Sequence, residues 1–294
     1  MMSGNTVLPT STCAQARVML YQPSQRPRYT STVWFSSFGR CQVVGRLGQR
    51  HADLLEAILF NAERKRDTPD GSIEMLVDPA RVRRTLSDSR YSMEQIKKLL
   101  MELRAAAISI ETPAFDFPLI SGLIDHIEPS LMTRRDPLAG GHRHLWTVRL
   151  GKALLVLLER DLWLHYDPAP IARLQHGITQ AVVRHIRTHT VSPRGGWFMD
   201  TVIKAVLGNP STNELRKARL RLRSEVGACS EMGIRIAGDK IFKIATPSAP
   251  SIPQTPDSVP QAPDGVPQTP GAFHTRPMET GLSGLSGLRG TARA

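Results

Sequence analysis

At 294 residues the chain is long enough for two domains of ordinary size. Lys and Arg number 38 against 26 acidic residues, giving a formal net charge of +12 and a pI near 10.2, an excess that favours polyanionic partners, nucleic acid before anionic membrane. Cys13, Cys41 and Cys229 are isolated, and the longest wholly apolar run, Ala153–Leu158, falls far short of the ~20 residues of a membrane helix. Met1–Tyr21 has no signal-peptide core. The expectation is a cytoplasmic protein that keeps its thiols reduced and has no membrane partner.

Residues 1–30 are rich in Ser, Thr, Gln and Pro without periodicity, and are expected to be a flexible N-terminal segment. Ala52, Leu54, Leu55, Ile58, Leu59 and Ala62 then give an apolar helical face, closed by the polar cluster Glu63–Asp67 and the turn Pro69-Asp70-Gly71. Asp78-Pro79 opens a short helix over Ala80–Leu86, with aspartate at the cap and proline at the first helical position. Ser92-Met-Glu-Gln95 is a capping box. The helix it starts buries Ile96, Leu99, Leu100 and Leu103 and leaves Lys97, Lys98 and Arg104 outside. Strands are predicted at Ile108–Glu111, Leu119–Ile127 and Leu145–Leu150, with a polar loop over Thr133–His144.

The second half repeats this order. Leu154–Leu164 is densely apolar, and Ile171, Leu174, Ile178, Val182 and Ile186 form a helical stripe. A shorter stripe, Phe198 to Leu207, ends at Gly208, where a left-handed cap is expected. Ser211-Thr-Asn-Glu214 is a second capping box, and Leu215, Ala218, Leu222, Val226 and Cys229 share one face of the helix that follows. That helix carries Arg216, Lys217, Arg219, Arg221 and Arg223, five basic residues in eight positions. Ile234–Ala237 and Lys240–Ile244 read as two strands joined by the tight turn Gly238-Asp239. From Pro247 a seven-residue Pro-Gln repeat and a Gly-Leu-Ser repeat predict a disordered tail.

Most charge runs are solvated faces. Here only Glu214 and Glu225 offset the five cations, and a short helix and a hairpin flank them, the order of a helix-turn-helix with its wing. In that geometry the helix enters the major groove, where arginine grips guanine O6 and N7 or a phosphate. Lys240 and Lys243 on the wing would meet the backbone or minor groove. Lys97 and Lys98 on the earlier capped helix form a weaker set, serving either as a second reader or on a winged-helix-like domain used mainly for dimerisation or for phosphate contact. Enzyme signals are poor. There is no phosphate-binding Gly-x-x-x-x-Gly-Lys loop. His142-Arg-His144 carries arginine where paired-histidine nicking motifs want an apolar residue. His185 and His189 have the spacing of a zinc pair without the glutamate or a third ligand. The expectation is no catalytic site, no metal and no cofactor.

The order of elements resembles the plasmid replication-initiator proteins built from two winged-helix domains, in layout closest to the IncQ-type initiators, with the IncP-type initiator as a cousin. The likeness is carried by Gly48-Gln-Arg-His-Ala-Asp-Leu-Leu-Glu-Ala-Ile58, by Tyr91–Glu111, and by Leu119–His126 with Leu145–Leu150. Ser211–Met232 with the strands after it completes it. It covers about residues 31–246 and neither end. The resemblance implies binding of double-stranded DNA at tandem origin repeats (iterons), opening of the adjacent duplex and recruitment of a host replication initiator and helicase, with a homodimer as a further expectation. The Pro-rich tail departs from the pattern. The expected fold is therefore mainly α with short β wings, in tandem winged-helix domains at 31–150 and 151–246, the second being the main DNA reader. Segments 1–30 and 247–294 are expected to be disordered. A winged-helix transcriptional regulator shares every feature except origin activity, and an interaction protein acting through its tail is the third reading.

Overall fold

The computed structural model describes residues 8–244 apart from 14, 16–19, 37–38, 88–90, 112–115 and 136–139. In chain order the elements are β1 (Ser11–Thr12), β2 (Thr30–Ser36), β3 (Gly39–Gly45), α1 (Gln49–Phe60), β4 (Ala62–Asp67), β5 (Ile73–Val77), α2 (Pro79–Leu86), α3 (Met93–Ala105), β6 (Ala107–Glu111) and β7 (Leu119–Ser121). There follow β8 (Ile124–Arg135), β9 (His142–Leu150), α4 (Lys152–Arg160), β10 (Trp163–Leu164), α5 (Ala169–Ala172) and α6 (Gly177–Arg187). The last are β11 (Trp197–Phe198), α7 (Met199–Leu207), α8 (Thr212–Ser224), α9 (Val226–Glu231), β12 (Ile234–Ala237) and β13 (Lys240–Lys243). The repeat tail expected over 247–294 lies outside the described residues.

The expectation of a mainly α chain in tandem winged-helix domains is corrected here. About 40% of the structure is helix and 32% is strand, in four sheets. Two four-stranded antiparallel sheets, ordered β2-β3-β6-β7 and β4-β5-β9-β8, make most of the difference. Strand β4 reads Ala-Glu-Arg-Lys-Arg-Asp, which has neither an apolar alternation nor a helical period. It is a strand because its backbone pairs with β5 at the sheet edge, with Arg64, Arg66 and Asp67 exposed and Glu63 held by Arg134, a case of tertiary context overriding propensity. The segment expected as the polar loop Thr133–His144 is strand at both ends, with Arg134 opposite Arg143 and Arg135 opposite His142. Two arginines are tolerated side by side because the buried Asp78 carboxylate accepts from both, at 3.1 Å from Arg134 and 2.8 Å from Arg143, and Glu63 takes a two-pronged bond from Arg134. Burial alone would raise the Asp78 carboxyl. The Arg143 and Arg134 guanidiniums and the Ala80 N–H that Asp78 caps outweigh it and hold the group down at about 2.

Within segment 1–30, the described residues include some that pack into the fold. β1 pairs with β10, and Leu8, Cys13, Leu20 and Tyr21 are buried. The strap Gln22–Pro27 crosses the starts of two helices, which glycine alone permits. A Cβ at Gly48 would stand 2.5 Å from the Ser24 carbonyl oxygen, and one at Gly177 would stand 2.7 Å from Ser24 backbone atoms.

Two hydrophobic clusters lie within the compact unit Met1–Ser248. The first gathers α1 to α4 with the two large sheets, including Leu154, Leu155, Leu157 and Leu158 of α4. The second runs from Ile171 to Ile241 and holds α6 to α9 under the sheet β11-β13-β12. Helix α5 serves both, through Ala172 and Ile171, and a buried polar cluster ties them further. Gln49, Asp53 and Glu56 share one face of α1 at steps of four and three, and Gln180 and Arg184 face them from α6. The Arg184 guanidinium, 3% exposed, donates to Glu56 twice at 2.8 Å, to Asp53 at 2.6 Å and to Gln49 at 2.7 Å. Tyr91 and Gln180 complete Asp53 at 2.9 Å each, and the Tyr166 hydroxyl completes Glu56 at 2.7 Å. Burial works against the arginine's charge, but the two carboxylates hold its pKa well above the usual value. Removing one member of such a cluster costs about 3–5 kcal/mol, because the remaining charges stay buried without a partner. Arg184→Met is expected to lose stability on that scale in chemical denaturation, and Arg184→Lys, which keeps the charge but not the fork, to lose less.

His51 of α1 is 1% exposed and links α1 to α3. Its Nδ1 accepts the Gly48 N–H at 3.1 Å, so Nε2 carries the proton donated to Glu102 at 2.8 Å. Burial lowers its pKa, against the pull of Glu102 and Asp53. Below about pH 6.5 the unfolded chain therefore takes up a proton that the native chain resists, and stability falls as pH falls through that window. Unfolding midpoints measured from pH 7.5 to 5 should fall more steeply for the native chain than for His51→Gln, whose amide offers one acceptor and one donor but does not titrate.

Candidate nucleic-acid interface

Helices α7 and α8 are joined by four residues, a connection of helix-turn-helix length. Gly208, at φ +78°, ends α7 in a backbone conformation that favours glycine. Ser211 then caps α8. Its Oγ accepts the Glu214 N–H at 3.3 Å, and the Glu214 carboxylate accepts the Ser211 N–H at 2.7 Å, which holds the Glu214 pKa low. The inner side of α8 buries Ala218 and Leu222 in the second cluster. Its outer side is a line of Arg216, Leu220 and Arg223, one helical turn between neighbours, with Lys217 and Arg221 alongside, all exposed.

The five cations divide. Arg219 swings back to Asp200 on the first turn of α7, its Nε donating at 2.6 Å and its Nη2 making the second prong. That contact, chiefly its hydrogen bonds, lowers the Asp200 pKa and raises that of Arg219. Arg219 thus braces one helix of the pair against the other. Arg216, Lys217, Arg221 and Arg223 enter no ion pair among the described residues. Arg216 donates to the Asn213 side chain at 3.5 Å.

Hairpin β12–β13 follows α8 and α9, and β13 also pairs with β11, a two-residue strand whose brevity hid it from pattern reading. Its two lysines differ. Lys240 lies over the Phe198 ring, 3.0 Å from the centroid. Lys243 turns inward: its ammonium donates to the His189 carbonyl and its backbone N–H to Ser192 Oγ at 2.6 Å. Burial and the nearby Arg187 lower its pKa. Of the pair, Lys240 alone keeps the outward position expected of a wing lysine. Arg235 of β12, not singled out from the sequence, is exposed and lies over the Phe242 ring at 4.8 Å.

Lys97 and Lys98 are neighbours on α3 but open onto different surfaces. Lys97 borders an apolar groove with Met93, Leu100, Met101 and Trp146, whereas Lys98 borders a basic cleft with Arg26, Arg46 and Arg50. The last three were not anticipated, since each sits alone in its own stretch of sequence. Elsewhere His185 and His189 pack their rings together, with His189 against Trp197, and among the described residues no three His, Cys, Asp or Glu side chains come together to hold a metal ion. No helix among the described residues is long and apolar enough to cross a membrane.

No family model and no curated protein matches the chain. Among solved structures it is similar to the crystal structure of the RctB domains 2-3, at 13% sequence identity and a TM-score of 0.46, over 77% of this chain and 84% of that one. A likeness at that level assigns no residue a role.

The division among the five cations has a measurable consequence. Arg219→Gln should lower the thermal midpoint, and so should Asp200→Asn. Arg216→Gln and Arg223→Gln should shift it far less, because among the described residues neither side chain makes an ion pair, and Arg223 acts on Asp200 only through its charge at longer range.

Proposed function

We propose that this chain is a sequence-specific double-stranded-DNA-binding protein that reads the major groove with the outward face of α8 and acts by binding, without catalysis. The observation that carries this reading is the set of four cations on α8 that enter no ion pair, held on a helix capped at its start and braced from behind by Asp200. At 1.5 Å per residue α8 is about 20 Å long, and a helix of that kind enters a major groove about 12 Å wide. Arg216 and Arg223 would reach guanine edges or phosphates, and Leu220 between them would offer an apolar contact for a thymine methyl. Lys240 and Arg235 on the hairpin would take the adjacent backbone.

Within that class the reading is initiation of plasmid replication. Copies bound to neighbouring origin repeats strain the duplex, flexible steps yield, and a host initiator and helicase are brought to the opened tract. Support for it is the resemblance in element order between residues 31–246 and the plasmid initiators. A transcriptional regulator is the alternative, and DNA from the gene's own neighbourhood separates the two: tandem repeats beside an AT-rich tract favour initiation, a lone palindrome favours repression.

The test is binding of the full chain to that DNA, followed by fluorescence anisotropy across a salt series with scrambled competitor. The Arg216→Gln/Arg223→Gln variant should bind its site at least tenfold more weakly. Its salt slope should fall by ~0.9 for each arginine that contacts a phosphate. Unchanged affinity in a folded variant would remove α8 from the interface.

A further inference from the structure

A second concentration of cations lies in the cleft at Lys98. The cleft encloses about 290 Å³ between the strap Gln22–Pro27, the start of α1 and one side of α3. Four cations line it, Arg26 from the strap, Arg46 from the β3–α1 connection, Arg50 from α1 and Lys98 from α3. Among the described residues no ion pair engages Arg26, Arg50 or Lys98, and Arg46 reaches only Glu102, at 4.0 Å. Glu102 is the one carboxylate in the lining, and its other oxygen is taken by His51.

These walls are fixed. The Ser24 carbonyl accepts the Gln49 N–H at 2.9 Å, and Gln25 donates to the Leu174 carbonyl at 3.1 Å and to Gln180 at 3.2 Å. Gly48 and Gly177 let the strap lie against both helices. The Arg50 guanidinium stacks over Tyr91, 5.6 Å from the ring centroid, and the Tyr91 hydroxyl is tied to Asp53. Like charges drawn to one concavity repel, increasingly so as water is displaced, and an anion seated among them relieves the repulsion. Guanidinium forks with an ammonium are the donor set of phosphate sites. The volume is at the small end of ligand sites, enough for a phosphate and its ester substituent.

We infer that this cleft binds a phosphate group, either a phosphodiester of a nucleic-acid strand or the phosphate of a free nucleotide, between Arg26, Arg46, Arg50 and Lys98. The site stands whether or not α8 reads DNA.

Its test uses the full chain with inorganic pyrophosphate in calorimetric titration and a short duplex in anisotropy. Arg26→Gln/Lys98→Gln removes two exposed side chains that enter no ion pair, and thermal unfolding verifies that the variant folds. Arg64→Gln/Arg84→Gln removes the same charge elsewhere on the surface. Saturable pyrophosphate binding is expected, at least tenfold weaker in the cleft variant and unchanged in the control, with Arg50→Lys in between. A nucleic-acid source would also lower the duplex salt slope of the cleft variant by ~0.9 for each lost contact. A free nucleotide would leave that slope alone and compete with pyrophosphate. The proposal is overturned if pyrophosphate gives no saturable heat and the cleft variant keeps its duplex affinity, or if both double variants lose binding equally. Failure of the α8 reading would show separately, as unchanged duplex affinity in Arg216→Gln/Arg223→Gln.

Discussion

A guanidinium shut away from water between two carboxylates ties the two hydrophobic clusters of this molecule to each other. Arg184 reaches from the second hydrophobic cluster into the first, where Asp53 and Glu56 meet it and Gln49, Gln180, Tyr91 and Tyr166 satisfy the remaining polar atoms. Apolar contact tolerates sliding, whereas a forked guanidinium meeting fixed oxygens does not. The register of α6 against α1 is therefore set to within a hydrogen bond.

Both candidate anion surfaces inherit this constraint. On one side, α6 belongs to the core that supports α7 and α8, so the basic face of α8 stands on a frame anchored through Arg184. On the other, Gln180 lies one turn before Arg184, and its side chain holds Gln25 of the strap that walls the basic cleft. Tyr91 links Asp53 to the stacked Arg50 in the same way. The polar interior thus runs from the lining of the cleft to the helices behind the second cluster. A hydrogen-bonded network of this kind specifies one arrangement more sharply than apolar packing does.

The local devices were legible in the sequence. Ser92 to Gln95 and Ser211 to Glu214 are capping boxes in the structure as in the pattern, because a cap needs only residues three apart. The apolar stripes of α1, α3, α6 and α8 were visible for the same reason. Strand β4 was hidden, since five of its six residues are charged and only pairing with β5 makes it a strand. β1 and β11, two residues each, are too short to show a period. Arg134 and Arg143 looked like loop charges because Asp78, which lets them face each other in a ladder, stands more than 50 residues away.

What the sequence determined on its own is where helices begin, which of their faces are apolar, and that α8 carries an unusual density of positive charge. Those properties arise between residues three to seven apart, through capping bonds and side-chain periodicity, and any fold of this chain would keep them. Tertiary structure alone decided what the charges do. It drew Arg219 to Asp200, turned Lys243 toward His189, set Lys97 and Lys98 on different surfaces and brought Arg26, Arg46, Arg50 and Lys98 to one cleft. Ion pairs and clefts depend on distances of a few ångströms between groups far apart in the chain, and those distances exist only after the backbone has closed around the buried arginine.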